Sequence, residues 1–154
     1  MNNLPIYLDA NVPMYAVGGE HPYKLPCMWC MEQIAAGEMT AVINVEILQE
    51  ILHRFMSIRR SKAGVDLCVE VADLSVHVYP VDEIDMRYAL AVVRNSSSSI
   101  RARDCVHVAT LYRYGIAHIL TADRHFDNLP DITRLDPLTL YRDAGSPDIA
   151  VLFQ

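Results

Sequence analysis

The stretch Met39-Thr-Ala-Val-Ile-Asn-Val-Glu-Ile-Leu-Gln-Glu-Ile-Leu52 changes its hydrophobic period halfway along, and this change indicates the fold class. Its first part, up to Ile43, is a short apolar run of the kind that forms a buried strand. From Val45 the apolar residues recur close to the i, i+3, i+4, i+7 spacing of an amphipathic helix, which we expect to end near Ser57. A strand followed by a helix is the repeating unit of a parallel α/β sheet.

The same alternation of short β-rich runs and longer helical runs continues in both directions from this stretch. The predicted strands are Ile6–Leu8, Thr40–Ile43, Val76–Tyr79, His118–Thr121 and Thr133–Leu135. The predicted helices are one that starts with Pro13 at its first position, then Pro26–Ala36, Val45–Ser57, Lys62–Leu74, Asp82–Arg94 and Ala102–Tyr114. Gly37 is expected to end the second of these helices. The fold class is therefore α/β, with a parallel sheet.

The chain of 154 residues is expected to form one domain, 1–154, because it is long enough for a single core and contains no internal repeat. Asn95-Ser-Ser-Ser-Ser99 is its one low-complexity stretch and is predicted to be a loop. After Pro137 the pattern weakens, so residues 137–154 are predicted to be a C-terminal tail. The end of that tail, Ile149–Phe153, is expected to add a strand or to contact a partner.

Composition narrows the class of protein. The hydrophobic content of 52% and the mean hydropathy of +0.14 suggest apolar surface reserved for a partner. A net charge of −6 argues against a broad basic face that holds nucleic acid by counterion release. No apolar run approaches the ~20 residues of a membrane span, and no secretory signal is visible. We therefore expect a cytoplasmic protein with no membrane contact.

Four acids stand near the points where predicted strands give way to helices, and they are the main indication of chemistry. They are Asp9, Glu50, Asp104 and Asp123. In an open parallel sheet, ligands bind beyond the carboxyl ends of the strands, so acids far apart in sequence can meet there. Clustered carboxylates repel one another unless they share protons or bind cations. The sequence therefore predicts a divalent-metal site.

Each acid also has an ordinary structural explanation. Asp9 and Asp104 suit the start of a helix, where a carboxylate caps the first turn or opposes the helix dipole. Glu46 and Glu50 lie one turn apart on the same helix face, so one or both are candidate ligands. Asp127, four residues after Asp123, is a further candidate. Four independent caps at strand ends are harder to explain than one shared site.

Other residue types exclude several common sites. The six histidines form no H-x-x-x-H or H-E-x-x-H pair, and we interpret His107 and His125 as packing or surface groups. G-x-S-x-G, the P-loop and G-x-G-x-x-G are absent, as is the D-x-D motif of an acidic phosphatase or receiver-like pocket. Cys27 and Cys30 have C-x-x-C spacing, but they fall inside a helical apolar pattern and are interpreted as buried thiols.

In order and spacing, four segments resemble the PIN-domain ribonucleases, and in particular the VapC-like toxins of type II toxin–antitoxin pairs. The segments are Tyr7-Leu-Asp-Ala-Asn11, Ile43-Asn-Val-Glu-Ile-Leu-Gln-Glu-Ile-Leu52, Ala102-Arg-Asp-Cys-Val-His-Val-Ala109 and Ile119-Leu-Thr-Ala-Asp-Arg-His-Phe-Asp127. The resemblance implies a three-layer α/β/α sandwich around a central parallel sheet of about five strands. It also implies an Mg²⁺- or Mn²⁺-dependent endoribonuclease that hydrolyses RNA, with a small antitoxin as partner and a homodimer as its assembly.

The resemblance also implies roles for individual residues. The acidic quartet would be Asp9, Glu50, Asp104 and Asp123, acting as catalytic residues and as metal ligands. The further positions are Glu46 as the fallback for Glu50, Asp127 as an extra acid, and Asn11 and Thr121 as supports. Arg101 and Arg103 flank Asp104 and suit a substrate phosphate, because a guanidinium can bind phosphate through two hydrogen bonds. Asn44 departs from the family pattern, in which a small hydroxyl residue is common here.

A second reading remains open at the level of sequence. The chain could keep the PIN fold as a catalytically weak binding or regulatory module that acts through a protein partner. A partner segment would then cover the apolar helices Val45–Ser57 and Lys62–Leu74. The high apolar fraction and the acidic charge fit this reading, whereas four intact acids do not.

Overall fold

The computed structural model describes residues 4–96 and 100–149, and within them a central sheet is flanked by helices. The strands are β1 (Pro5–Leu8), β2 (Thr40–Asn44), β3 (His77–Tyr79), β4 (His118–Leu120) and β5 (Thr133–Leu135). The helices are α1 (Asn11–Val17), α2 (Lys24–Ala35), α3 (Val45–Ser57), α4 (Ser61–Leu74), α5 (Glu83–Asn95), α6 (Ala102–Arg113) and α7 (Pro137–Asp143). A short 3₁₀ turn spans Arg124–Phe126.

All neighbouring strands run parallel, in the spatial order β3-β2-β1-β4-β5. The chain builds outward from β1 through β2 to β3, then crosses back to place β4 and β5 on the other side of β1. Strand order therefore reverses between β1 and β4, and such a switch point leaves a crevice beyond the carboxyl ends of the strands. The predicted α/β/α sandwich with a five-stranded parallel sheet is confirmed.

The core lies between the central strands and the helices that cover them. Tyr7, Leu8, Ile43, Ile119 and Leu120 are almost completely buried, as expected for strands of a parallel sheet covered on both faces. Helices pack in pairs, α1 with α2, α3 with α4 and α5 with α6. The predicted bounds of α3 and β5 are confirmed, and the other predicted elements differ by one or two residues at their ends.

Two predicted helix starts were wrong by two residues, and for the same reason. Pro13 and Pro26 each occupy the third helical position, because α1 begins at Asn11 and α2 at Lys24. The first four N–H groups of a helix have no partner within it, so a proline at the third position loses no helical hydrogen bond. Gly37, at φ +78°, follows the end of α2 as expected.

The largest departure is in the predicted tail, where Pro137–Asp143 forms α7. Asp136 caps this helix by accepting a hydrogen bond from the Leu138 N–H (3.2 Å), and Pro137 follows at its start. The helix packs on α2, where the rings of Trp29 and Tyr141 lie 6.1 Å apart. Two further predictions fall largely outside the described residues. These are residues 97–99 of the predicted serine-rich loop and residues 150–153 of the predicted terminal strand or partner contact.

Across residues 4–96 and 100–149, every helix is too short or too polar to span a bilayer.

Candidate active site

The two central strands bring the first and the last of the predicted acids to one edge of the sheet. Asp9 directly follows β1, and Asp123 stands three residues after β4, the strand paired with β1. The Asp9 N–H continues the ladder by donating to the Leu120 carbonyl (3.1 Å). Residues more than a hundred positions apart thus meet at the switch point because the two strands are neighbours.

A cleft of about 340 Å³ opens at this edge, and seven residues line it. They are Asp9, Asn11, Glu50, Arg101, Arg103, Asp104 and Asp123. The structure therefore brings together all four predicted acids, one of the two predicted supporting residues and both predicted arginines. Glu50 arrives from the middle of α3, and Asp104 from the first turn of α6.

Asp9 is held by three donors in a nearly closed environment. Its Oδ1 accepts from the Ala10 N–H (2.7 Å), and its Oδ2 accepts from the Thr121 hydroxyl (2.6 Å) and the Asn11 amide (3.0 Å). Burial raises the pKa of Asp9 to about 6, against the lowering effect of His107 and of the Thr121 hydrogen bond. A carboxylate this buried favours either a proton or a cation beside it.

Thr121 and Asn11 form a small polar network around Asp9. The Thr121 hydroxyl accepts hydrogen bonds from the Asn11 amide (2.9 Å) and from the Asp123 N–H (3.0 Å) while it donates to Asp9. The Asn11 Oδ1 accepts from the Ala122 N–H (3.3 Å). Thr121 is completely buried and does not line the cleft, so it supports Asp9 from behind.

Asp104 has a buried oxygen with no hydrogen-bond donor. Its Oδ2 is closed off from solvent and lacks a partner among the described residues. Burial raises the pKa of Asp104, and the nearby charges of Asp123 and Glu50 raise it further, against the lowering effects of His107 and Arg101. A buried acceptor without a donor is costly unless something else satisfies it. A cation in the cleft would do so.

Asp123 caps a turn and also lines the cleft, where it was predicted to lie. Its Oδ1 accepts from the His125 N–H (2.9 Å) and so caps the 3₁₀ turn Arg124–Phe126. The same oxygen lies 2.7 Å from Nδ1 of the half-exposed His125 ring. Asp123 therefore has an ordinary capping role and still lines the cleft.

Glu50 contacts His107, whose position beside the cleft was not predicted from the sequence. Its Oε1 lies 2.5 Å from Nε2 of His107, a side chain that is 1% exposed, and 3.8 Å from Nε of Arg103. His107 Nδ1 lies 2.7 Å from the hydroxyl of the fully buried Tyr7. The interpretation of His107 as a packing or surface group was incomplete. Its position three residues after Asp104, on the same helix face, was the available signal.

The pKa of His107 is shifted by opposing effects. Burial lowers it, whereas the hydrogen bond to Glu50 and the charges of Asp9, Glu50 and Asp104 raise it, and the net direction is upward. The surrounding carboxylates thus favour the protonated form of this imidazole, and burial opposes it.

Glu46, the fallback for Glu50, and Asp127, the predicted extra acid, do not line the cleft. Glu46 lies in the first turn of α3, one turn before Glu50, and is absent from the cleft wall. Asp127 forms an ion pair with Arg134, whose Nη1 also donates to the Thr121 carbonyl (3.2 Å). Asp127 thus fixes an arginine that braces the end of β4.

Asn44, the departure from the family pattern, has a structural role. It is fully buried, and its Oδ1 caps α3 by accepting from the Ile47 N–H (3.2 Å). Its amide donates to the Thr110 hydroxyl (2.8 Å), which joins α3 to α6. Asparagine is among the preferred N-cap residues, so the replacement preserves the start of the helix that carries Glu50.

The donor set of the cleft fits a hard divalent cation. Two groups of side chains place one candidate ligand atom each within 4.8 Å of one another, namely Asp9 with Glu50 and His107, and Asp104 with Asp123 and His125. Carboxylate oxygens dominate both groups, and such oxygens suit Mg²⁺ or Mn²⁺ better than softer metals. The unpartnered Asp104 Oδ2 supplies an independent reason for a cation at this place.

The family profile of the PIN domain matches residues 6–132, and the chain belongs to the PIN domain family. Among curated proteins it is similar to Ribonuclease VapC13 of Mycobacterium tuberculosis, at 37% identity over 134 residues, 84% of this chain and 98% of the relative. Ribonuclease VapC7 of the same species is 29% identical over 133 residues, 86% of this chain and 91% of the relative. The resemblance to VapC-like PIN domains inferred from the four segments is thereby confirmed.

Solved structures share the fold at much lower identity. VapBC2 from Rickettsia felis, bound to a DNA fragment from its promoter, matches with a TM-score of 0.67 at 12% identity, over 86% of this chain and 98% of that chain. FitAcB from Neisseria gonorrhoeae matches with a TM-score of 0.64 at 15% identity, over 86% and 97% of the two chains. The sarcin-ricin loop cleaving toxin VapC20 of Mycobacterium tuberculosis matches at 0.62 and 14% identity, over 82% and 98%.

Proposed function

We propose that this chain is a divalent-metal-dependent endoribonuclease that hydrolyses RNA phosphodiester bonds and acts as the toxin of a toxin–antitoxin pair. The observation that carries the proposal is the meeting of four acids from four chain segments in one cleft. Relatives named VapC ribonucleases, at 37% identity over 84% of the chain, support the reaction class. The weak binding-module reading gains no support from the cleft, since a module would not need a buried, unpartnered carboxylate oxygen.

Asp9, Glu50, Asp104 and Asp123 are the residues that would hold Mg²⁺ or Mn²⁺. Such a cation activates water and offsets the negative charge that develops on the phosphodiester. The chain's own contribution is to fix the ligand oxygens before the cation arrives. Asn11 and Thr121 orient Asp9 for this purpose through the hydrogen bonds described above.

Arg101 and Arg103 are suited to the substrate phosphate. Both line the cleft, and the Arg103 side chain is 52% exposed, so it can leave its 3.8 Å contact with Glu50 to meet an incoming phosphate. A guanidinium presents a fork of N–H donors that matches phosphate oxygens, and it stays charged at all working pH values. These two residues would align the scissile phosphate against the acids.

An adjoining groove of about 610 Å³ is a suitable path for the RNA chain on one side of the cleft. It shares Asn11, Glu50 and Arg103 with the cleft and is bordered further out by Arg54 and Arg60. The groove therefore has local positive charge although the whole chain carries −6. Phosphates of a single strand would follow the arginines away from the acids.

The proposed partner is a small antitoxin, and the proposed assembly is a homodimer. One solved structure that shares this fold is a toxin–antitoxin complex from Klebsiella pneumoniae, and another is VapBC2 bound to a DNA fragment from its promoter. Exposed apolar side chains on α5, among them Tyr88, Leu90 and Val93, offer surface for such contacts. A neighbouring reading frame that encodes a small DNA-binding protein would support the pair.

Cleavage of a mixed RNA pool, with Mn²⁺ or with a chelator, tests the reaction. We expect cleavage that stops with the chelator and falls about 100-fold or more in Asp104→Asn and Glu50→Gln, since a lost ligand removes several kcal/mol of transition-state stabilisation. Glu46→Gln is the matched control, because it changes the same residue type on the same helix outside the cleft. Near-normal cleavage by folded Asp104→Asn, or equal losses in the two glutamate variants, would contradict the assignment.

A further inference from the structure

Three side chains from three elements form a buried hydrogen-bonded row at the floor of the cleft. Tyr7 comes from β1, His107 from α6 and Glu50 from α3. The Tyr7 hydroxyl lies 2.7 Å from His107 Nδ1, and His107 Nε2 lies 2.5 Å from Glu50 Oε1. Tyr7 and His107 are almost wholly buried, while the Glu50 side chain keeps 12% exposure at the cleft. Only the last member of the row reaches the site.

The polarity of the row follows from the donors and acceptors available. An ionised glutamate only accepts hydrogen bonds, so the proton between it and His107 belongs to Nε2. This holds for the neutral ring, in which Nδ1 accepts from the Tyr7 hydroxyl, and for the charged ring, in which both nitrogens donate. In either form no lone pair of His107 remains for a cation. His107 is therefore not a ligand, although its ring nitrogen lies within 4.8 Å of Asp9 and Glu50 oxygens.

The contact fixes one oxygen of Glu50 and leaves the other. His107 and Arg103 both meet Oε1, so Oε2 is the oxygen through which Glu50 can bind a cation. A free glutamate has three rotatable bonds, and ordering it on binding costs affinity. A buried ring that holds Oε1 removes part of this cost before binding. The loss of a side chain that hydrogen-bonds to a metal ligand typically weakens metal affinity about 10- to 100-fold.

We propose that His107 is a positioning residue that orients Glu50 for cation binding, with Tyr7 fixing the plane of the His107 ring. The inference rests on the proposed function for the role of Glu50 as a ligand. It is independent of which RNA is cut, because it concerns the affinity of the protein for the cation.

Two substitutions at position 107 test the contacts of the two ring nitrogens separately. His107→Gln can place an amide N–H where Nε2 lies and so preserve the donor to Glu50. His107→Asn reaches only to the position of Nδ1 and so preserves a partner for Tyr7 while removing that donor. Calorimetric titration with Mn²⁺, without RNA, is expected to give about 10- to 100-fold weaker binding in His107→Asn and a much smaller loss in His107→Gln. Tyr7→Phe, which keeps the ring and removes only the hydroxyl, is expected to weaken Mn²⁺ binding by an intermediate factor.

A double-mutant cycle with Glu50→Gln tests whether His107 acts through Glu50. If it does, His107→Asn adds no further loss of Mn²⁺ affinity in the Glu50→Gln background, because the group it orients is already gone. Thermal melting in chelator checks that each variant folds, and Tyr7→Phe carries the same cycle if His107→Asn does not fold.

Different results would overturn the two proposals separately. A wild-type protein that binds no Mn²⁺ would refute the metal-dependent function and this inference with it. Wild-type binding with unchanged affinity in folded His107→Asn and Tyr7→Phe would overturn the inference alone. An equal loss in His107→Gln and His107→Asn, additive with Glu50→Gln, would instead make His107 a direct ligand.

Discussion

At the scale of single residues, folding raises the pKa of carboxyl groups in the cleft and so disfavours their ionised form. The pKa of Asp9 is raised to about 6 chiefly by burial, and that of Asp104 is raised by burial and by Asp123. Both carboxyls bind protons more tightly in the folded chain than in the unfolded chain. Keeping these carboxylates close together in ionised form lowers the stability of the folded chain, but it places them where they can bind a cation.

This cost predicts how the stability of the metal-free protein depends on pH. A raised carboxyl pKa means that stability is greater when the group is protonated and falls as pH rises from about 4 to about 6. The pKa of Asp9 moves from 3.8 to about 6, which corresponds to on the order of 3 kcal/mol at most. We expect urea unfolding in chelator to give a lower free energy of unfolding at pH 7 than at pH 5.

Asp9→Asn is the control for this dependence, because it removes the titrating group and keeps the size of the side chain. The decline between pH 5 and pH 7 is expected to be smaller in this variant. His107 acts in the same direction at higher pH, since its raised pKa gives stability that is lost as pH rises through the folded value. An identical pH dependence in wild type and Asp9→Asn would contradict the assignment to Asp9.

At the residue scale, the sequence predicted that the four acids would meet in one cleft, but it did not reveal the side chains that contact them. Parallel strands carry their carboxyl ends to one edge, so Asp9 and Asp123 could be placed together without knowing any contact. The row from Tyr7 through His107 to Glu50 depends on two contacts, between residues 100 and 57 positions apart in the sequence. Local pattern contains no information on such pairings, and a lone histidine on an apolar helix face is most often only packed.

At the scale of elements, the helix that carries Glu50 is positioned by close packing against α4. Gly64 of α4 faces Phe55 of α3, and a Cβ added at Gly64 would lie 2.6 Å from the Phe55 Cβ. Real Cβ atoms do not approach so closely, and the Phe55 Cβ is fixed to its backbone, so the two helices would have to separate.

Gly64→Ala is therefore expected to destabilise the protein although alanine favours helix. The gain in helix propensity is about 1 kcal/mol, whereas overpacking at a buried contact costs about 1–3 kcal/mol. We expect a net loss on the order of 1 kcal/mol in the free energy of unfolding by urea, with weaker Mn²⁺ binding because Glu50 moves with α3.

Gly19→Ala is the matched control, because an added Cβ there meets no atom within 4 Å. Its stability should stay close to that of wild type. A Gly64→Ala variant more stable than wild type would show that α3 and α4 adjust without cost.

Element-scale prediction from sequence depended on the strength of the periodic signal. The helix α3 alternates cleanly between buried and exposed positions, with Ile47, Ile51 and Phe55 inside, so both its ends were found. The helix α7 has seven residues, too few for a periodic pattern to appear. Its start was nevertheless legible in Asp136-Pro137, a capping residue followed by proline at the first helical position.

At the scale of the whole molecule, an acidic protein keeps a basic groove beside its acidic cleft. The net charge of −6 argues against a broad basic face, but net charge cannot locate Arg54, Arg60 and Arg103 along one groove. Their grouping depends on how α3 ends, how α4 begins and where α6 starts. A groove with few phosphate contacts predicts modest, salt-sensitive RNA affinity.

The salt dependence of RNA binding tests this groove. Each phosphate contact with a single strand contributes about 0.7 to the slope of log affinity against log salt concentration. We expect the double substitution Arg54→Gln with Arg60→Gln to reduce that slope by about 1.4, measured by fluorescence anisotropy with single-stranded RNA in chelator, where cleavage is absent.

Arg87→Gln provides the control for a general charge effect. Arg87 is paired with Glu83 on α5 (2.6 Å) and does not line the groove. Its loss should leave the slope unchanged. A double variant with the wild-type slope would place the RNA elsewhere on the surface.

The position of β4 between β1 and β5 determines when the cleft can form during synthesis of the chain. Asp9 is translated more than a hundred residues before the strand that completes its surroundings, which ends at Leu120. The Thr121 N–H in turn donates to the Leu135 carbonyl (3.1 Å). A polypeptide still emerging from the ribosome therefore has no assembled cleft until the residues up to Leu135 have been synthesised. Fragments that end before Leu135 are therefore expected to lack ribonuclease activity, because the surroundings of Asp9 and Thr121 are incomplete in them.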